Sequence, residues 1–203
     1  PMKGAINVEK IGISFNQISD LSPLAGMKKL WYLHAQANRI ANLSPLAGLT
    51  NLRELQLDGN QITDLSSLAG LKQLSRLLLY SSPKLTRAQI DKLKQALPNC
   101  VIYHDLMNAA ELFEAEIRSR LKKPGGEITE QDMAKLRGFT LNNRKVTDIS
   151  PLKGAINMDS LGIQDCMLSD LTAVAGMKNL KRLSASNNRI SDLSPLAGLT
   201  NLR

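Results

Sequence analysis

An asparagine returns every 22 residues, at Asn16, Asn38 and Asn60, and each time it stands in the same frame, LxxLxLxxNxIxDLS. "PLAGMKKLWYLHAQANRIANLS" and "PLAGLTNLRELQLDGNQITDLS" are consecutive copies, preceded by "PMKGAINVEKIGISFNQISDLS" and followed by a degenerate "SLAGLKQLSRLLLYSSPKLT" with Ser82 at the asparagine position. A second set holds "PLKGAINMDSLGIQDCMLSDLT" and "AVAGMKNLKRLSASNNRISDLS", behind a partial unit "KLRGFTLNNRKVTDIS". A unit this short cannot enclose a core of its own. It has to bury its apolar side against the next unit, so the chain must stack into a solenoid.

Within a unit the alternation is that of a strand with one buried side. In "LRELQLDGN", Leu55 and Leu57 alternate with Glu54, Gln56 and Asp58. One short strand per coil gives a parallel sheet with coils about 4.8 Å apart. The asparagine sits where the chain turns inward, and its amide can both donate to and accept from neighbouring backbone, which predicts a ladder of stacked amides. "DLSPLAG" closes the coil. Ser44 is expected as the N-cap of a short helical or 3₁₀ segment, Pro45 as its first residue and Gly48 as the turn after it. Hydrophobic residues are 43% of the chain but aromatics only 3%, so this core is built of Leu, Ile, Val, Ala and Met.

The pattern resembles the internalin type of leucine-rich repeat, a bacterial family, and the resemblance covers most of the chain. It implies an α/β solenoid: a leucine-rich-repeat parallel sheet with a short 3₁₀ or helical outer wall and a helical cap. It also implies a secreted or cell-surface setting, although "PMKGAINVEK" shows no leader pattern.

Two segments leave the repeat. In "LTRAQIDKLKQALPNCVIYHDL", Thr86 and Gln89 make a capping box for a helix with Ile90, Leu93 and Leu97 on one side; Pro98 ends it and "CVIYH" reads as a last strand. The segment has the character of a C-terminal cap. "NAAELFEAEIRSRLKKPGGEITEQDMAKLRGF" then predicts a helix from Ala109 to Lys122 with Leu112, Phe113, Ile117 and Leu121 apolar, a "PGG" break, and a short helix from Glu130. It is similar to the helical N-terminal cap of internalin-like domains. The expected organisation is 1–106, repeats ending in a C-terminal cap, and 107–203, a helical N-terminal cap followed by repeats cut off in mid-coil. Residues 151–203 also align with 1–53 at a constant offset of 150, and "LSPLAGLTNLR" occurs identically at Leu43 and at Leu193. Either a junction between tandem repeat domains or an engineered, rearranged scaffold gives this order. Stacking of the two halves within one chain is not expected, since the linker from Tyr103 to Ala109 reaches only about 20 Å. Open coil faces at opposite ends predict head-to-tail association of chains, as a closed ring or an open filament according to the rotation.

Catalytic and metal signatures are missing: there is no HExxH, CxxC, GxGxxG, phosphate loop or GxSxG. Neither an enzyme nor a cofactor is expected. His34 falls on an outward strand position and His104 in the cap segment. Asp20, Asp64, Asp148, Asp170 and Asp192 recur before "LS" or "LT" and are expected to bond local backbone amides rather than a metal. Cys100 and Cys166 are expected as buried free thiols, Cys166 at an asparagine position with the loss of one rung. Arg144 holds another such position, with Asn143 beside it to compensate. The net charge of +8 is diffuse, without a basic run interleaved with aromatics, so no nucleic-acid partner is expected; no stretch is apolar enough for a membrane span.

With the leucines buried, the outward columns are Lys10, Tyr32, Glu54, Arg76; Gly12, His34, Gln56, Leu78; and Ser14, Gln36, Asp58, Tyr80, flanked by Trp31 and Phe15. In the second set Gly138, Ser160, Arg182, Thr140, Gly162, Ser184, Asn142, Gln164 and Ser186 are smaller. Trp, Tyr and Arg dominate interface energetics. The partner-binding residues are therefore expected to be Trp31, Tyr32, His34, Gln36, Asp58, Arg76 and Tyr80. The function expected is a non-enzymatic module that binds another protein through the concave sheet, which is also what the resemblance implies. The alternative is a repeat scaffold whose open ends drive self-assembly.

Overall fold

Glu54 and Gln56 stand half-buried on either side of Leu55, which is 0% exposed, and this in-and-out alternation makes a three-residue strand of every coil. The computed structural model describes residues 7–141 and 146–203. Asn142, Asn143, Arg144 and the opening "PMKGAI" lie outside the described residues. The chain divides into two compact units, one to Met107 and one from Asn108.

The first unit is a parallel sheet of β1 (Lys10–Gly12), β2 (Tyr32–His34), β3 (Glu54–Gln56), β4 (Arg76–Leu78) and β5 (Val101–Tyr103), in sequence order. The register steps by one repeat, Lys10 to Tyr32 to Glu54 to Arg76, and then by a longer stride to Val101. The extra length carries α1 (Arg87–Ala96), whose N-cap Thr86 exchanges hydrogen bonds with Gln89 in a capping box. The second unit opens with α2 (Ala109–Leu121) and α3 (Glu130–Met133). A parallel sheet of β6 (Gly138–Thr140), β7 (Ser160–Gly162) and β8 (Arg182–Ser184) follows. Phe113 and Ile117 of α2 bury themselves with Leu136 and Phe139, the two rings 5.0 Å apart, so the helix covers the first coil of its sheet.

Both cores are columns of like residues. Leu43, Leu46, Leu49, Leu52, Leu55, Leu57 and Ile62 of one coil are all nearly sealed, and the coils on either side repeat them. The predicted amide ladder is present. Asn38 donates to Ile13 O at 2.9 Å and Ala35 O at 3.1 Å while its oxygen accepts from Ile18 N at 2.9 Å. Asn60 repeats this one coil on, with Ala35 O, Leu57 O and Ile40 N. Each amide thus ties its own turn to the preceding coil on both its donor and acceptor sides. In the second unit Asn188 bonds Ile163 O and Leu168 N in the same manner. Cys166 occupies the preceding rung, donating its thiol to Leu141 O but offering no carbonyl oxygen to accept in return.

Three expectations about the coil are corrected or refined. Ser44 is not an N-cap: Leu43 holds that position, with no side-chain cap, and Ser44 is the first residue of the 3₁₀ turn Ser44–Leu46. The side-chain oxygen that receives Ser44 N belongs to Asn42, two residues earlier. Asp20, Asp64, Asp148, Asp170 and Asp192 do the same for Ser22, Ser66, Ser150, Thr172 and Ser194, and each also accepts from the hydroxyl. These bonds hold the carboxyls of Asp20, Asp64 and Asp192 below their ordinary range. Gly48 does not need left-handed freedom. Its carbonyl receives Lys28 Nζ at 2.9 Å, and a Cβ there would sit 2.6 Å from that nitrogen. The residue before the ladder position is the one that takes a left-handed conformation from coil to coil among the described residues: Phe15, Ala37, Gly59, Ser81, Asp165 and Asn187 have φ between 52° and 65°, with Met167 joining Asp165 in its coil.

Candidate partner-binding site

The strand residues that point away from the leucines line up across the first sheet as Lys10, Tyr32, Glu54 and Arg76, and as Gly12, His34, Gln56, Leu78 and Tyr103. Beyond the strands the ladder continues, with Phe15 N donating to Gln36 O, Ala37 N to Asp58 O and Gly59 N to Tyr80 O. Gln36, Asp58 and Tyr80 therefore extend the same face. All seven residues named from the sequence, Trp31, Tyr32, His34, Gln36, Asp58, Arg76 and Tyr80, lie on it or at its edge and are half-buried.

The structure brings them together as two groups. At one end Trp31 and Tyr32 meet edge to face with centroids 5.7 Å apart, and Tyr32 lies against the His34 ring at 3.9 Å. The Tyr32 hydroxyl is 2.8 Å from His34 Nδ1, and His34 Nε2 is 3.3 Å from Glu54 Oε1, which also accepts from Gln56 Nε2. Lys10 Nζ stands 4.5 Å from the centroid of the Trp31 ring and 6.0 Å from that of Tyr32, close enough for cation–π attraction. At the other end Arg76 stands over the ring of Tyr103 at 5.3 Å, and Tyr80 is 6.3 Å from the same ring. Asp58 accepts Tyr80 N at 2.9 Å, yet burial outweighs that bond and raises its carboxyl above the ordinary range. Gln36 Oε1 is buried with no hydrogen bond among the described residues. The rings of Trp31, Tyr32, Tyr80 and Tyr103 are each braced by a neighbour, which reduces the ordering that contact with a partner would cost.

Sequence reasoning omitted Lys10, Glu54 and Tyr103 from the site. The first two were legible in the same column. Tyr103 was not, because α1 lengthens the step to β5 and takes it off the 22-residue grid. His104, next in sequence, is buried at 3%. On the second sheet the equivalent positions are Gly138, Thr140, Ser160, Gly162, Arg182 and Ser184, which offer little area. Among the described residues no group of three His, Cys, Asp or Glu side chains converges as a metal site, and no helix is long and apolar enough to cross a membrane.

Comparison with known proteins places this architecture. The family model described as leucine rich repeats (2 copies) matches residues 32–70 and 178–203. The crystal structure of an internalin, InlF, from Listeria monocytogenes is similar with a TM-score of 0.59 and 25% identity, over 97% of this chain and 59% of that one. An internalin C2 from the same organism gives 0.54 and 26%, over 95% and 77%. A leucine-rich-repeat protein of Leptospira interrogans, at 18% identity, shares the fold with a TM-score of 0.60, over 97% and 59%. The chain thus spans less than two thirds of the InlF structure. No curated protein matches it.

Proposed function

We propose that this chain, whose leucine-rich repeats are similar to those of the internalins, is a non-enzymatic module that holds a partner protein on the open face of its first sheet. Repeats of this kind are generally interaction modules, built to present an extended surface. The observation that carries the reading is the braced aromatic and basic cluster of Trp31, Tyr32, His34, Arg76 and Tyr80. These residue types supply most of the energy in protein interfaces, and rigid rings lose little entropy when they bind. In this reading residues 1–106 are repeats closed by the C-terminal cap α1 and β5, and residues 107–203 are a helical cap followed by further repeats.

The test is a photo-crosslinking side chain at Gln56, used to trap the partner, followed by calorimetry with the purified partner. Replacing Tyr32 and Tyr80 together by Ala is expected to weaken binding at least tenfold. Unchanged affinity would remove the sheet face as the contact.

A further inference from the structure

The residues just ahead of the strands form a row of their own along the first sheet. Trp31 N donates to Glu9 O and Arg53 N to Trp31 O, both at 2.9 Å, so Glu9, Trp31 and Arg53 stand one coil apart, about 4.8 Å from one to the next. Asn51 Nδ2 donates to Lys28 O at 2.7 Å, which sets Asn51 beside Lys29 in a second row. Glu9, Lys29, Trp31, Asn51 and Arg53 together line an open cleft of about 390 Å³. β2 and β3 are each paired on both sides, so all of these but Glu9 belong to interior coils.

The cations of this cleft have no counter-charge. Lys29 and Arg53 are exposed, and among the described residues their side chains make no ion pair or hydrogen bond. Glu54, next to Arg53, is engaged by His34 and Gln56. Glu9 is the one carboxylate lining the cleft, and it pairs with neither cation. The second unit shows the same row in balance. By the offset of 150, Asp159, Lys181 and Arg203 correspond to Glu9, Trp31 and Arg53, and Asn179 to Lys29. The backbone bonds are repeated there, but Lys181 Nζ pairs with Asp159 at 3.6 Å. In the first unit Trp31 holds the middle position and parts Glu9 from Arg53, while a lysine stands where the second unit has an amide. A further ammonium, Lys10 Nζ, stands over the Trp31 ring, 4.5 Å from its centroid.

Resting on the reading that the first sheet holds a partner protein, we infer that this cleft receives an acidic segment of that partner, with a carboxylate side chain between Lys29 and Arg53 beside Trp31. The guanidinium offers a planar fork that matches a carboxylate, and the ammonium a second positive charge. The apolar indole keeps water from one side and so strengthens both attractions. A sugar stacked on the indole fits less well, because Lys10 already stands over that ring. A phosphate fits less well too, since its larger charge is repelled more strongly by Glu9 in the same cleft.

Trp31 is the only tryptophan of the chain, so its fluorescence reports directly on the cleft. Titration with decaglutamate at low ionic strength is expected to change that fluorescence saturably and decalysine to leave it unchanged, with added salt weakening the peptide. Lys29→Glu combined with Arg53→Glu is expected to weaken decaglutamate about tenfold, and Lys181→Gln in the second unit to leave its binding unaltered. Glu9→Gln is expected to tighten it, a gain that no folding defect imitates. The inference is overturned by a fluorescence that ignores decaglutamate, by a response that survives the double charge reversal, or by inorganic polyphosphate acting on Trp31 at lower concentration than the peptide. None of these titrations uses Tyr32, Tyr80 or the trapped partner, so their failure is distinct from failure of the sheet face as the contact.

Discussion

The single amide of Asn60 holds two coils together, and its replacement measures how much. Asn60→Ala strips the side-chain partner from Leu57 O and Ile40 N and leaves Ala35 O with Asn38 alone, and each orphaned group costs about 1–3 kcal/mol. With relaxation, a loss of about 3 kcal/mol in urea unfolding is expected; a loss within error of zero would show that the ladder is decorative. Asp58 makes a prediction of the opposite sign. Its carboxyl is raised by burial, so the fold binds that proton more tightly than the unfolded chain does. Its contribution therefore favours the fold fully below the ordinary carboxylate range and is lost as pH rises from there through the raised value. Asp58→Asn keeps an oxygen for Tyr80 N and discards the buried charge. It is expected to melt higher than the parent at pH 7, with the gap narrowing below about pH 4. The asparagines were legible in the sequence because an amide repeated at fixed spacing has few physical uses. Ser44 was misread because the first polar residue before a short turn looks like a cap, when Asn42 or an aspartate two residues back provides the oxygen.

At the scale of elements, the capping box of Thr86 with Gln89 was readable from spacing alone, because both partners lie within one turn. A second ladder was not. Lys28, Lys72 and Lys178 each reach from one coil to a carbonyl of the next, at Gly48, Ala96 and Gly198, and Asn51 and Asn201 return to Lys28 O and Lys178 O. Nothing in "KK" or "KN" distinguishes a lysine that bonds across coils from one that is merely solvated. The most concentrated charge is on α3, where Asp132 accepts from Lys123, Lys135 and Thr129 and its carboxyl is held far below the usual range. That stabilisation is fully present above the ordinary carboxylate value and is lost as pH falls through the depressed one. Asp132→Asn is expected to lower the melting temperature of the second unit at pH 7 and to flatten its fall in acid. Parallel melting curves for parent and variant between pH 7 and pH 2 would contradict it.

Across the whole molecule the two thiols serve as reporters of global opening. Cys100 is buried, with its thiol pushed up to about 12, and Cys166 is sealed within the second core. Neither is expected to react with a disulfide reagent in native buffer on the timescale of a free thiol, and both should react at once in denaturant; prompt native labelling would mean that coils open locally. The repeat, the sheet order and the sidedness of the columns were all legible, because translation by one unit fixes them together. The partner surface was legible only where it keeps to the grid. That translation has a consequence for the gene. Since successive coils of the regular repeats join through much the same amides and carbonyls, unequal crossing-over between neighbouring identical stretches such as "LSPLAG" at Leu21 and at Leu43, 22 residues apart, changes the number of coils in whole steps, and lineages can lengthen or shorten the protein without designing a new joint.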